Sequence, residues 1–246
     1  MTRRVALVAP TGSYVGPPLA RLLAAREHDL VIADPADGLV DELEELGAAV
    51  EVVDGASDLS DPAACDRLVS AGLARFGQIH AACMFSGRIV IGRFLDSTVD
   101  DLHAVVNGNI EAPYHFLKHV LPTMLDAGDG QVLVITSASA ARPTLGAPLY
   151  SATRAGASML VKNVAAEVAD KGVQINAVGT NFMDFPEFIR ANRIETPEQR
   201  AKVESYVPMK RLGTMEEFAS FCAVMLDGTS RFQTGQFISY SGGWSD

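Results

Sequence analysis

The strongest constraint on this chain is an alternation: short, unbroken apolar runs separated by longer stretches with helical periodicity. VALVA (5–9), LVIAD (30–34), VEVVD (50–54), IHAACMF (79–85), QVLVIT (131–136) and VQINAV (173–178) are strand-sized and largely apolar. A strand reads this way when both of its faces are covered, as in a parallel sheet flanked by helices. Between the runs the spacing predicts helices over 18–25, 40–46, 62–76, 99–126 and 150–170, then a helix over 215–226 and a last strand near 236–239. Ser60 is the expected cap of the 62–76 helix, and Leu102, Val106, Ile110, Leu117, Leu121 and Met124 the expected apolar face of the longest one. The fold class expected is α/β, a single doubly wound parallel sheet of about seven strands with helices on both faces. With 246 residues, 48% of them hydrophobic, the chain can bury one core, and a single domain over 1–246 is expected. Sheets of this kind bind ligands at the carboxyl ends of their strands.

Composition excludes several classes. A formal charge of -10 argues against a nucleic-acid partner. Cys65, Cys83 and Cys222 are too few and scattered for a disulfide framework or a zinc site, and read as reduced core residues of a cytoplasmic protein. The N-terminal MTRRVALVAPTG has the charge of a signal peptide but not its apolar length. No stretch approaches the roughly eighteen apolar residues of a spanning helix, so no membrane partner is expected. The five histidines lack metal-ligand spacing. His115 and His119 are one helical turn apart, but no third ligand is evident, and no metal is expected.

The first turn, APTGSYVGPP (9–18), leaves a strand and opens a helix, as a dinucleotide-binding loop does. Gly12 and Gly16 fit that use. Tyr14 would project a ring into the ligand space, and Pro18 stands where a third glycine is expected. Asp34 ends the second strand 22 residues after Gly12, as a ribose-binding acid would, although an aspartate there also serves as a turn former. Ser137 follows the fifth strand directly. Tyr150 and Arg154 share a helix face one turn apart. An adjacent fixed cation favours a phenolate, so the three residues can form a hydroxyl donor, an acid/base and its tuning charge. Spacing alone leaves open a surface pair with no role. Asn109, inside the long helix, reads as a buried asparagine bonded to backbone.

Taken together these landmarks resemble the short-chain dehydrogenase/reductase fold, which is Rossmann-like. The likeness is carried by the glycine turn, Asn109, Ser137 thirteen residues before Tyr150, and VPMKRLGTMEEFA (207–219). The chain departs from the oxidoreductases at Tyr14 and Pro18. It also does so at CMFSG (83–87), where an Asn-Asn-Ala-Gly motif is usual. Arg154 replaces a lysine, and VGTNFM (178–183) replaces a Pro-Gly segment. Those departures, with TSASA, YSATRAG and VGTNF in order, resemble the halohydrin dehalogenases.

That resemblance implies a carbon–halide lyase without nicotinamide or any other cofactor. It would close vicinal haloalcohols to epoxides with release of halide and a proton, and open epoxides with small anions in reverse. Ser137, Tyr150 and Arg154 would be catalytic. Tyr14, Thr180, Asn181, Phe182 and Met183 would form the halide or nucleophile site, and Phe85, Ser139 and Phe185 the substrate pocket. The segment 185–200 would shape that pocket. Trp244 lies where some relatives reach a neighbouring subunit, and the implied assembly is a homotetramer. Two other readings stay open: an atypical NAD(P)-dependent short-chain oxidoreductase, which explains Asp34, and a non-catalytic ligand-binding relative, which explains the lost glycines.

Overall fold

A computed structural model describes residues 3–245. Seven parallel strands lie in the order β3-β2-β1-β4-β5-β6-β7. They are β1 (Arg4–Ala9), β2 (His28–Ala33), β3 (Val50–Val53), β4 (Ala81–Phe85), β5 (Gly130–Ser137), β6 (Val173–Thr180) and β7 (Phe237–Tyr240). Among the described residues the helices are α1 (Gly16–Ala25), α2 (Leu39–Glu45), α3 (Pro62–Phe76), α4 (Val99–Val106), α5 (Ala112–Ala127), α6 (Pro148–Val168), α7 (Pro186–Ala191), α8 (Pro197–Glu204) and α9 (Met215–Val224). The doubly wound α/β expectation is what the chain adopts. One face packs Leu7, Val31, Leu68, Phe116 and Val161, the other Val8, Ile32, Leu19, Leu43 and Phe218. Every residue of β5 is buried, which is why its sequence shows no alternation. Cys65, Cys83 and Cys222 are free and buried. Among the described residues no helix is long and apolar enough to cross a membrane.

Several expectations shift in detail. Asp61, not Ser60, caps α3: its carboxylate accepts the Ala63 amide at 2.9 Å, while the Ser60 hydroxyl donates to Asp58. The helix expected over 99–126 is interrupted by a π turn at Asn107–Glu111. One extra residue per turn rotates the buried face there. Leu102 is therefore 41% exposed, and Val105 points inward instead. The stretch after β6, which lacks an apolar pattern, nevertheless forms α7 and α8. Their residues are exposed or half-buried, so no core-facing stripe exists to be read. A capping box of Thr196 and Gln199 fixes the start of α8.

At the amino edge of the sheet, His28 is buried. Its Nδ1 faces the Arg26 carbonyl at 2.9 Å, and its Nε2 has no partner. Burial disfavours the charged imidazole and lowers its pKa. The unfolded chain binds a proton at His28 near its ordinary value of 6.5, where the folded chain does not. Stability should therefore decline as pH falls through 6.5 toward the lower folded value, then level off. Urea titrations of the wild-type protein and His28→Gln across that window test this; the variant's profile should be flatter.

Candidate active site

The carboxyl edge of the sheet gathers the residues singled out above. Ser137 ends β5 beside Thr180, its register partner at the end of β6. Ser137 Oγ accepts from the Ser139 amide at 3.2 Å and from the Ser139 hydroxyl at 2.9 Å. Tyr150 and Arg154 sit in the first turns of α6, which packs on the short turn Ala138–Ala140. Among the described residues no hydrogen bond engages the Tyr150 phenol. The Arg154 guanidinium carbon lies 5.2 Å from the Tyr150 ring centroid. The cation thus lies beside the Tyr150 ring.

Arg154 is 6% exposed and donates to the Ser86 carbonyl at 2.5 Å. Its Nε has no partner. Gly87 is what makes room: a Cβ there would stand 1.8 Å from the Arg154 guanidinium. The CMFSG segment is therefore a seat for the arginine. Asn109, in the π turn, closes the other side. Its amide donates to the Arg88 carbonyl at 3.1 Å and to the Thr153 hydroxyl at 2.9 Å, and its oxygen accepts the Arg88 amide at 3.1 Å. It is the buried, backbone-bonded asparagine that its place in the helix suggests.

The β1–α1 turn is read differently by the structure. A Cβ on Gly16 would fall 2.5 Å from the Pro10 carbonyl oxygen and 2.8 Å from Thr11 Cα. Gly16, and not position 18, is the glycine of close helix–strand packing. Tyr14 then stands two residues earlier, at φ 53, with its ring crossing the edge of the sheet. Its hydroxyl is 2.6 Å from Thr180 Oγ1, and its centroid lies 5.3 Å from Phe85, 4.8 Å from Phe185 and 6.0 Å from Phe218. Burial pushes the Tyr14 phenol above the ordinary tyrosine range, so it stays neutral. Asp34 turns away: its carboxylate accepts from the Gly55 amide at 2.6 Å and from the Ser57 amide and hydroxyl. A dinucleotide needs that acid for a ribose and close backbone approach in the turn. With Asp34 accepting three hydrogen bonds and the Tyr14 ring in the turn, the ribose acid and the phosphate-facing turn of a dinucleotide site are both partly occupied.

The turn after β6 also departs from expectation. Phe182 has φ 56, and its amide donates to Asn181 Oδ1 at 2.9 Å. Thr180 is engaged by Tyr14, and Met183 is buried in a bridge to Gly213. The Phe182 amide is thus not available to an anion. The Phe182 ring packs on Phe188 at 6.0 Å and Trp244 at 5.5 Å. Arg142, missed in the sequence, lies over the Trp244 ring at 4.8 Å and donates to its carbonyl. Ser245 donates to the Ala138 carbonyl at 3.1 Å. Polar loop residues like these carry no periodic signal, so nothing in the sequence marked them. A cavity of about 430 Å³, lined in part by Asn181, Phe182, Arg211, Glu217 and Tyr240, opens on the β7 side of this turn and excludes Ser137, Tyr150 and Arg154. His119 bonds the His115 carbonyl within its own helix, and no group of three metal-binding side chains occurs among the described residues.

A family model described as enoyl-(acyl carrier protein) reductase matches residues 13–245. The chain belongs to the short-chain dehydrogenase/reductase family. Among similar curated proteins is a 2,5-dichloro-2,5-cyclohexadiene-1,4-diol dehydrogenase of Sphingobium indicum, 27% identical over 246 residues, with 98% of this chain and 96% of that one covered. Another is a cyclohexanol dehydrogenase of an Acinetobacter species, 28% identical over 250 residues, covering 98% and 95%. A solved NADPH-dependent reductase involved in bacilysin biosynthesis superposes with a TM-score of 0.90 at 20% identity, covering 99% of each chain. The fold is thus that of this family throughout.

These comparisons overturn the expected activity. The named relatives are dehydrogenases and reductases, not lyases, so the halohydrin dehalogenase reading, with its haloalcohol, epoxide and halide chemistry, is set aside. The departures that suggested it are real residues with other structural duties. Arg154 is seated on Gly87 and Ser86, and Asn181 satisfies the Phe182 amide.

Because Gly87 also has φ 154, any side chain there meets both backbone strain and the guanidinium. Gly87→Ala should displace Arg154 and destabilise the fold by about 1–3 kcal/mol. Thermal unfolding measures it, and Gly92→Ala, at a site with open space around its Cβ, is the control.

Proposed function

We propose that this short-chain dehydrogenase/reductase acts at the oxygen of a small ring-borne secondary alcohol or of the corresponding ketone. One observation carries the reading. Tyr150 presents a phenol with no protein partner, beside the Arg154 cation, at the strand edge that also presents Ser137. The ring class follows the printed names of two relatives, which are dehydrogenases of a cyclohexadienediol and of cyclohexanol. Phe85, Phe182 and Phe185 supply apolar surface near that edge.

In this reading Ser137 donates a hydrogen bond to the substrate oxygen. Tyr150 receives the proton of an alcohol, or returns it to a carbonyl oxygen, as general base or acid. Arg154 places a fixed positive charge beside the ring and opposes the charge that develops there during transfer. Phe182 and Trp244 shield the centre from water on the β7 side. These side chains carry the proton only. The hydride of such a conversion would be exchanged with a nicotinamide dinucleotide, for which the Tyr14 ring would have to yield space in the first turn. Tyr14 also favours a second reading: a relative that holds such a ligand through Ser137 and Tyr150 without hydride transfer.

Two variants decide between them. With cyclohexanol and NAD or NADP supplied, Tyr150→Phe should lower any turnover by about a hundredfold to ten-thousandfold. Wild-type turnover in that variant would remove the proton-transfer role. Tyr14→Gly should raise NADPH affinity, read by dihydronicotinamide fluorescence. If wild type binds NADPH as tightly as the variant, the ring is no obstacle.

We also propose a homo-oligomer, a tetramer by family resemblance. Val99, Leu102, Tyr114 and Met159 are exposed apolar residues on α4, α5 and α6, surfaces that association would cover. Light scattering at micromolar concentration should return a multiple of the chain mass, and a monomer would refute it.

A further inference from the structure

Ser137 is held in one hydrogen-bonding sense by a residue two places on. The Ser139 amide points at Ser137 Oγ at 3.2 Å, and the Ser139 hydroxyl donates to the same oxygen at 2.9 Å. A serine hydroxyl has two lone pairs and one proton. With both lone pairs engaged, Ser137 has only its proton to offer. The protein acceptor within reach, the Thr180 carbonyl, is 3.5 Å away, beyond the range of a good hydrogen bond. Ser137 and Ser139 are 5% and 4% exposed, so water competes little for these positions.

We infer that Ser139 is a positioning residue that fixes Ser137 as a hydrogen-bond donor, so that the site recognises its ligand through an oxygen that accepts. The choice of a ring ketone or alcohol rests on the function proposed above; the polarity of Ser137 does not. A ketone oxygen receives the Ser137 proton directly, and a protonated Tyr150 offers a second donor. An alcohol receives the Ser137 hydrogen bond on a lone pair and directs its own proton to Tyr150 Oη. Ligands that can only donate to Ser137 find no free lone pair. Donation from Ser139 also polarises the Ser137 hydroxyl, since hydrogen bonds in a chain strengthen one another. Ser139 reaches the substrate only through Ser137 and takes no proton itself.

Neutron diffraction from deuterated crystals tests the polarity without any ligand. The Ser139 deuteron should lie on the line to Ser137 Oγ, and the Ser137 deuteron should point away from Ser139. A Ser137 deuteron directed at Ser139 Oγ would overturn the inference. The second arm reads the carbonyl stretch of isotope-labelled cyclohexanone by infrared difference spectroscopy. Bound to wild type, the stretch should be lowered; Ser137→Ala should reduce the shift to the part that Tyr150 donation alone supplies. Ser139→Ala should return it part of the way and weaken binding by about fivefold to tenfold. Ser139→Thr, which keeps the hydroxyl, should restore both. A wild-type stretch and affinity in Ser139→Ala would also overturn the inference. Cyclohexanone that fails to bind wild type, with the deuterons placed as expected, removes the ring-ketone reading and upholds the donor polarity.

Discussion

The pairing of β5 with β6 is the constraint on which the site depends. Eight consecutive residues pair in register, from Gly130 with Val173 to Ser137 with Thr180. A slip of one residue would turn every side chain of the slipped strand to the opposite face. Fully buried β5 residues cannot tolerate that. Gly179 shows how closely the strands end together: a Cβ there would lie 2.5 Å from the Ser137 carbonyl carbon and oxygen. The register therefore delivers two hydroxyl residues side by side at the carboxyl edge. Ser137 faces the turn leading to α6, and Thr180 holds the phenol of Tyr14. The sheet's packing fixes the chemistry's position before any loop contributes.

Around that edge the protein seats a bulky cation, and the neighbouring backbone is shaped to suit. Arg154 is nearly all buried, and a buried guanidinium needs partners for its donors. Ser86 supplies a carbonyl, Gly87 supplies space, and the Tyr150 ring lies beside the cation. Asn109 clamps the Arg88 backbone to Thr153, joining the strand-end loop to the helix that carries Tyr150 and Arg154. The π turn places Asn109 there, at the expense of a regular helix.

Much of this was legible in the sequence because burial on two faces writes itself as continuous apolar runs. The strands, their order along the chain, and the place of Ser137 at the carboxyl end of β5 follow from that pattern; the grouping of Ser137 with Tyr150 and Arg154 came from the family resemblance. What was not legible depended on contacts between segments distant in sequence. Gly16 reveals its role only when its distance to Pro10 is known, and so the third glycine was sought at position 18. A π turn leaves no mark in periodicity beyond a drift of the apolar face, which Leu102 shows. Arg142 and Ser245 tie down the tail through backbone carbonyls, for which residue type carries little information. The activity was misread for a related reason. A handful of departures near the centre was weighed above the likeness of the whole chain, which runs to dehydrogenases.

Tyr14 is where the local and the whole-chain arguments meet. A non-glycine residue at positive φ carries strain and persists only where surrounding contacts hold it. Here the hydroxyl contact to Thr180 and three aromatic neighbours provide that hold. The strain and the contacts are coupled: the left-handed backbone at Tyr14 aims the ring across the sheet edge, and the ring's packing keeps the backbone there. The same coupling sets the character of the site. A neutral phenol and a wall of phenylalanines stand where the turn would otherwise present bare backbone amides to a phosphate. This chain thus presents Ser137, Tyr150 and Arg154 near one strand end and an apolar first turn at another. The two halves of the edge are separable in sequence because they are carried by different strand ends, β5 and β1.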